Sequence, residues 1–335
     1  MRIAVIGAGA MGSLFGALLS TVAGVWLVTG WREQAEAIRR HGLHLLESTG
    51  EKTVTLPVAL DPAEVGPVDL AIIFVKSHQT EQAARKAQAI LKPSGLALTL
   101  QNGLGNREVL AETLGEARAW QGVTAHGATL LGPGYVRHAG TGPTHLETRP
   151  EIAARAAEVA SLFTRAGLDT HLSDDLAGLL WGKLLVNAGI NALTAILRVP
   201  NGALARSPAA DSLMARAVAE AAAVAKAKGI KLPYADPVRA AREVATATAA
   251  NRSSMLQDVL RGSRTEVDVI NGAIVREAGC LGLGAPVNEF LAETVKALED
   301  SYGAILGEAG KETPAGLPTA RHRAHWSEPP LPPCG

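Results

Sequence analysis

The sequence predicts an α/β chain in two parts: a parallel sheet covered on both faces, then an all-helical half. Three observations carry this. Apolar strand-like runs alternate with helical runs through the first half, the pattern of a parallel sheet buried on both sides. A glycine-rich turn separates the first strand from the first helix. After about residue 174 only helical periodicity remains, and 19 of the 50 residues from 201 to 250 are Ala, the best helix former.

Taken in order, strands are expected at 2–6, 25–29, 69–75, 96–100 and 119–125. Helices are expected between them at 10–22, 32–40, 78–91 and 105–115. Residues 43–60 read as a hairpin insertion around Ser48-Thr49-Gly50. Residues 132–148 hold three Gly-Pro or Pro-Gly pairs and read as antiparallel strands closing the sheet. Further helices are expected at 174–197, 206–228, 235–250, 255–262, 265–280 and 286–306. The Pro-rich stretch from Lys311 reads as a disordered tail. The expected domains are therefore 1–172, a nucleotide-binding domain, and 173–310, a helical substrate domain, with 311–335 as tail.

Composition narrows the function classes. Of 335 residues, 47% are apolar and 19% charged, enough for a sizeable core and against global disorder. Formal net charge is zero and no basic stripe occurs, so no nucleic-acid partner is expected. Cys280 and Cys334 lie far apart without CxxC spacing. That suggests neither a disulfide framework nor a zinc site, and fits a reducing cytoplasm. The stretch Ile3 to Trp31 carries no charge, long enough for a membrane span. Its six glycines and β-branched start make it strand, turn and helix instead, so no membrane segment is expected.

The strongest motif is Gly7-Ala8-Gly9-Ala10-Met11-Gly12, between the first strand and first helix. Its first Gly permits the tight turn, the second lets pyrophosphate approach the backbone, and the third lets helix and strand pack closely. This is the fingerprint of a Rossmann dinucleotide-binding domain. At the end of the second strand, an NAD-preferring fold places Asp or Glu for the ribose 2′-hydroxyl. Here stand Thr29-Gly30-Trp31-Arg32. Arg32 could pair with a 2′-phosphate, which favours NADPH; Glu33, if turned to the ribose, would favour NADH. Lys76 and Asn102 end the next two strands, where ligands sit in open α/β sheets.

The segment Leu176–Leu197 is nearly all apolar or small, yet carries Lys183, Asn187, Asn191 and Thr194. At the helical period these fall at roughly 0°, 40°, 80° and 20°, on one stripe. A helix apolar elsewhere is buried, so the stripe faces something polar and enclosed. A partly buried lysine shifts its pKa readily and can serve as acid or base. Ser254 and Gln257 have capping-box spacing, and Thr265-Glu266-Val267-Asp268 reads as a helix N-terminus. His126 and His138 flank the Gly-rich stretch and are assigned no catalytic role. No metal-ligand cluster is visible, so no metal is expected.

With these residues in view, the chain resembles the ketopantoate reductases (2-dehydropantoate 2-reductases) from residue 1 to about 305. The resemblance rests on the glycine motif, Lys76 and Gln101-Asn102-Gly103-Leu104-Gly105. It extends through Leu180 to Ala195, Ser253 to Asp258 and Thr265 to Gly272. It implies a Rossmann domain joined to a 6-phosphogluconate dehydrogenase-like helical domain, with the site in the cleft. The implied reaction is NADPH-dependent reduction of ketopantoate to D-pantoate, for pantothenate and coenzyme A synthesis, by a cytoplasmic monomer or homodimer. Carried over, Lys183 is the general acid and Glu266 positions it. Asn102, Asn187, Asn191 and Ser254 hold the substrate. Lys76, Arg32, Asn102 and Gly7 to Gly12 (with Ala8, Gly9, Ala10 and Met11) hold the cofactor. Two alternatives stand beside this reading: a reductase of another branched 2-keto acid, and a non-catalytic NADP-binding sensor.

Overall fold

The computed structural model describes residues 1–304; the expected tail lies outside them. The first half runs β1 (Arg2–Ile6), α1 (Ala10–Leu19), β2 (Gly24–Val28), α2 (Arg32–His41), β3 (Leu43–Glu47), β4 (Gly50–Val54) and β5 (Val58–Ala59). It continues with β6 (Val68–Ile73), α3 (Thr80–Ile90), β7 (Leu91–Thr99), α4 (Asn106–Leu114) and β8 (Ala119–Thr124). Then come β9 (Gly127–Gly132), β10 (Tyr135–Gly140), β11 (Thr144–Glu147), α5 (Ala153–Arg165) and β12 (Thr170–Ser173).

The main sheet has eight strands in the order β12-β11-β8-β7-β6-β1-β2-β5. From β5 to β8 every pair is parallel, and β11 returns antiparallel to β8. On one face, α1, α2 and α5 pack through Phe15, Ile38 and Phe163. On the other, α3 and α4 pack through Ala83, Ala87 and Leu110. The uncharged run Ile3 to Trp31 is thus β1, α1 and β2, with Ile3, Val5, Leu14, Phe15 and Leu27 fully buried.

Three features depart from the sequence reading. The expected hairpin forms as β3 and β4, but residues 58–59 leave it and pair with β2. The 132–148 stretch splits between sheets. Its second strand, β11, closes the main sheet, whereas β10 joins a separate sheet, β4-β3-β10-β9. This second sheet packs over α1 through Val136 and Leu45. Helix α5 and strands β9 and β12 were not anticipated; β9 and β12 are short and carry mixed exposed and half-buried residues, so they show no clean alternation.

The second half comprises α6 (Leu176–Leu197), α7 (Gly202–Arg206), α8 (Pro208–Ala227), α9 (Pro237–Ala247), α10 (Ser254–Leu260), α11 (Asn271–Cys280) and α12 (Pro286–Asp300). Helix α6 is their axis. By length and composition it could cross a membrane, but 72% of its most apolar window is buried inside the protein. Its partners are α8, α9, α10 and α12, and Met214, Val218, Ala241, Val259 and Leu291 share its core. The Ala-rich sequence keeps these helices close: a Cβ at Gly189 would stand 2.6 Å from Val218.

Candidate active site

A cavity of about 1670 Å³ runs along the C-terminal edge of the main sheet and under α6 and α10. Single-ligand pockets measure roughly 300–1,000 Å³, so this one has room for a dinucleotide and a small acid together. Gly7, Ala8, Gly9, Ala10 and Met11 form one end of its wall, and Lys76, Asn102, Lys183, Asn187, Asn191, Ser254 and Glu266 the other. Residues from Ile6 to Glu266 thus share one space.

The glycine turn has the shape a pyrophosphate needs. Gly9 caps α1 with no side-chain hydrogen bond, and a Cβ there would meet no protein atom within 4 Å. The α1 amides therefore face open space. Gly12 lies beneath, off the cavity wall; a Cβ there would stand 1.7 Å from the Gly7 carbonyl oxygen. Its part is the close packing of helix on turn, and not a direct contact.

Lys183 sits on α6, one turn before Asn187 and two before Asn191. Its ammonium donates to the Thr124 carbonyl oxygen at the end of β8, at 2.8 Å. Burial drives its pKa from the ordinary 10.5 down to about 8, against the opposing pull of the Glu266 carboxylate. Thr194, the fourth polar residue of the stripe, is fully buried and does not line the cavity. Its hydroxyl meets the Ser253 hydroxyl at 2.7 Å.

That contact corrects the capping assignment. Ser253, not Ser254, is the N-cap of α10, accepting from the Leu256 amide at 3.0 Å. Ser254 becomes the first helical residue and is left on the cavity wall. Likewise Thr265 accepts from the Val267 amide at 3.1 Å, so Glu266 is free of capping. Only 6% exposed, it takes a long contact of 3.4 Å from Asn102 Nδ2 and lies 4.0 Å from the Lys76 ammonium.

Lys76 reaches from the end of β6 to Asp258 on α10, at 2.5 Å. Burial disfavours its charge, but Glu266 and Asp258 outweigh that and raise its pKa. Burial likewise raises the Asp258 carboxyl, with Lys76 opposing. A second bridge joins the same two regions: the Leu104 amide donates to the Val269 carbonyl at 2.9 Å. Gly103 allows it, since its φ is +82° and a Cβ would fall 2.3 Å from that carbonyl oxygen.

Residues to which the sequence assigned no role shape and support the wall. Gln101 donates to Val75 O (2.8 Å) and to Thr80 Oγ1 (2.9 Å), and Thr80 donates to Asn106 (3.0 Å). Asn106 then holds the Asn102 carbonyl at 2.9 Å. This network fixes the two loops that carry Lys76 and Asn102. His126 and His138 meet at 2.9 Å on the second-sheet side of the cavity. Arg32 opens α2 and is exposed, next in sequence to Thr29, Gly30 and Trp31, which line the cavity. The chain turns into α2 at Arg32, leaving Trp31 as the last wall residue.

A Rossmann sheet with an open phosphate turn, and a buried lysine of lowered pKa facing it, define a nicotinamide-dependent oxidoreductase. Comparison with known proteins narrows the class. The family model described as Ketopantoate reductase PanE/ApbA matches residues 3–151, and its C-terminal counterpart matches 175–299. The 2-dehydropantoate 2-reductase of Halobacterium salinarum is 41% identical over 299 residues, covering 88% of this chain and 98% of that one. A crystal structure of a PanE/ApbA family ketopantoate reductase from Ralstonia eutropha JMP134 is 35% identical, with a TM-score of 0.83 over 90% of this chain and 99% of that one. A D-mandelate dehydrogenase, solved with NADH and anilino(oxo)acetate, is 33% identical with a TM-score of 0.84 over the same shares. The chain belongs to the ketopantoate reductase family.

Proposed function

We propose that this protein reduces 2-dehydropantoate (ketopantoate) to D-pantoate with NADPH, a step of pantothenate and coenzyme A synthesis. The observation that carries the reading is Lys183: a buried ammonium with its pKa near 8, beside two asparagines, in a cavity shared with a dinucleotide turn. The family's curated relatives supply the substrate.

NADPH supplies the hydride that adds to the keto carbon. Residues Gly7 to Met11 and Lys76 hold it along the sheet edge. Negative charge then develops on the keto oxygen. The Lys183 ammonium, held by the Thr124 carbonyl, stabilises that oxygen and delivers the proton. Glu266 sustains the charged form of Lys183 through its own charge. Asn102, Asn187, Asn191 and Ser254 line the same space and offer donors and acceptors for the substrate's carboxylate and hydroxyl. Cofactor choice follows from the wall near Thr29: the wall carboxylates are Glu47, Asp258 and Glu266, and none stands at the end of β2, where an NAD-preferring site places one.

The likeness to D-mandelate dehydrogenase favours a second reading, a reductase of another 2-keto acid. The test is kcat/KM for ketopantoate against 2-ketoisovalerate and phenylglyoxylate, with NADPH and with NADH. A clear preference for ketopantoate and NADPH supports the proposal; preference for either other acid replaces it with the second reading.

A further inference from the structure

The cavity wall near the end of β2 carries a cation that the sequence reading did not consider. Gln79, Gln82, Ala83 and Lys86 all line the cavity. The spacing i, i+3, i+4 and i+7 puts them on one face leading into and along α3. Helix α3 packs against the turn Pro62–Glu64, which follows β5, and against β1. The lining face of α3 therefore shares this end of the cavity with Thr29-Gly30-Trp31, the part of a Rossmann edge where the adenosine ribose rests.

Lys86 is half-buried. Its neighbours at helical spacing are Gln82, Ala83, Ala89 and Ile90, so no local carboxylate neutralises it. Among the described residues no carboxylate lies within ion-pair distance of it. By contrast, Arg85 next door pairs with Glu81 at 2.7 Å. Glu33, the carboxylate nearest the end of β2 in sequence, does not line the wall. An unpaired ammonium on an apolar stem, facing a cavity near a ribose site, suits a phosphate dianion.

We propose that Lys86 joins Arg32 in recognising the 2′-phosphate of NADPH, with Trp31 as the flat wall beside it. This rests on the nicotinamide-reductase reading above and adds to it the source of cofactor specificity. Arg137, a wall cation on β10, is the rival on the opposite face of the sheet.

The test is binding, not turnover. NADPH and NADH are titrated by protein fluorescence into the wild type and into Lys86→Ala, Lys86→Arg, Arg32→Ala and Arg137→Ala, each checked for native circular dichroism. In Lys86→Ala the Kd for NADPH rises about tenfold or more while that for NADH stays within about twofold. Lys86→Arg keeps the wild-type preference. Selective loss of NADPH in Arg32→Ala or Arg137→Ala, with Lys86→Ala binding as wild type, overturns the proposal. So does equal weakening of both nucleotides in Lys86→Ala. A wild type that binds neither nucleotide overturns the reductase reading itself.

Discussion

The Lys183 ammonium and the Thr124 carbonyl oxygen are 2.8 Å apart, and this bond joins the middle of α6 to the C-terminal end of β8. A backbone carbonyl cannot titrate and cannot neutralise a charge. Lys183 is thus fixed in place without being paired, and burial lowers its pKa to about 8. A carboxylate partner at that distance would have held the proton far more tightly.

The first prediction concerns pH. As general acid Lys183 must be protonated, so kcat for keto-acid reduction falls as pH rises through about 8. In the reverse direction the neutral amine is needed, and kcat rises through the same midpoint. Lys183→Ala lowers kcat by about 10²–10⁴-fold and leaves the Kd for NADPH near wild type. Near-normal turnover removes Lys183 from the acid role.

Lys183 also costs stability. Its folded pKa of about 8 lies below the ordinary 10.5, so the unfolded chain binds the extra proton between those values. Stability therefore rises with pH across that window. Lys183→Met is expected to raise the thermal midpoint at pH 7, with the gain shrinking as pH climbs from about 8 towards 10.5. A gain independent of pH would mean that packing, not charge burial, is what changed.

Glu266 raises the pKa of Lys183 through its charge. Glu266→Gln removes that charge and keeps the shape. The basic limb of the kcat profile then shifts to lower pH. An unmoved limb would show that Glu266 does not act on Lys183.

The two adjacent serines should separate cleanly. Ser253 caps α10 and meets Thr194, so Ser253→Ala costs about 1 kcal/mol or more in denaturant unfolding. Ser254 caps nothing and lines the cavity. Ser254→Ala should leave the unfolding midpoint within about 0.5 kcal/mol and raise the KM for the keto acid. The opposite pattern would restore Ser254 as the cap.

Gly9 offers a similar separation at the cofactor end. A Cβ there meets no protein atom within 4 Å, so Gly9→Ala leaves the thermal midpoint of the ligand-free protein nearly unchanged. It nevertheless weakens NADPH and NADH together, because the methyl group takes the space above the α1 amides. Unchanged binding of both would place the pyrophosphate elsewhere.

Much of this was legible in the sequence because it depends on short-range rules. The β1-turn-α1 unit, the alternation of buried strands and the polar stripe of α6 each follow from local periodicity, and the structure places Lys183, Asn187 and Asn191 on one cavity as that stripe implied. What stayed hidden depends on contacts across long separations. Ser253 caps α10 through the Leu256 amide, one residue before the serine that the capping-box spacing marked, and its contact with Thr194, 59 residues away, has no mark in the local spacing. The second sheet joins β3 to β10, and short strands with mixed exposure give no signal of such a pairing. Lys86 is placed on the cavity wall by the packing of α3 on the sheet, which residue spacing alone does not reveal.

The most direct test of the central claim is NADPH consumption with ketopantoate, followed across pH for the wild type and Lys183→Ala. The account predicts ketopantoate-dependent oxidation of NADPH, with a loss of kcat centred near pH 8 and a collapse of turnover in the variant. Bound NADPH that no 2-keto acid oxidises, or a variant that turns over as well as the wild type, would contradict it.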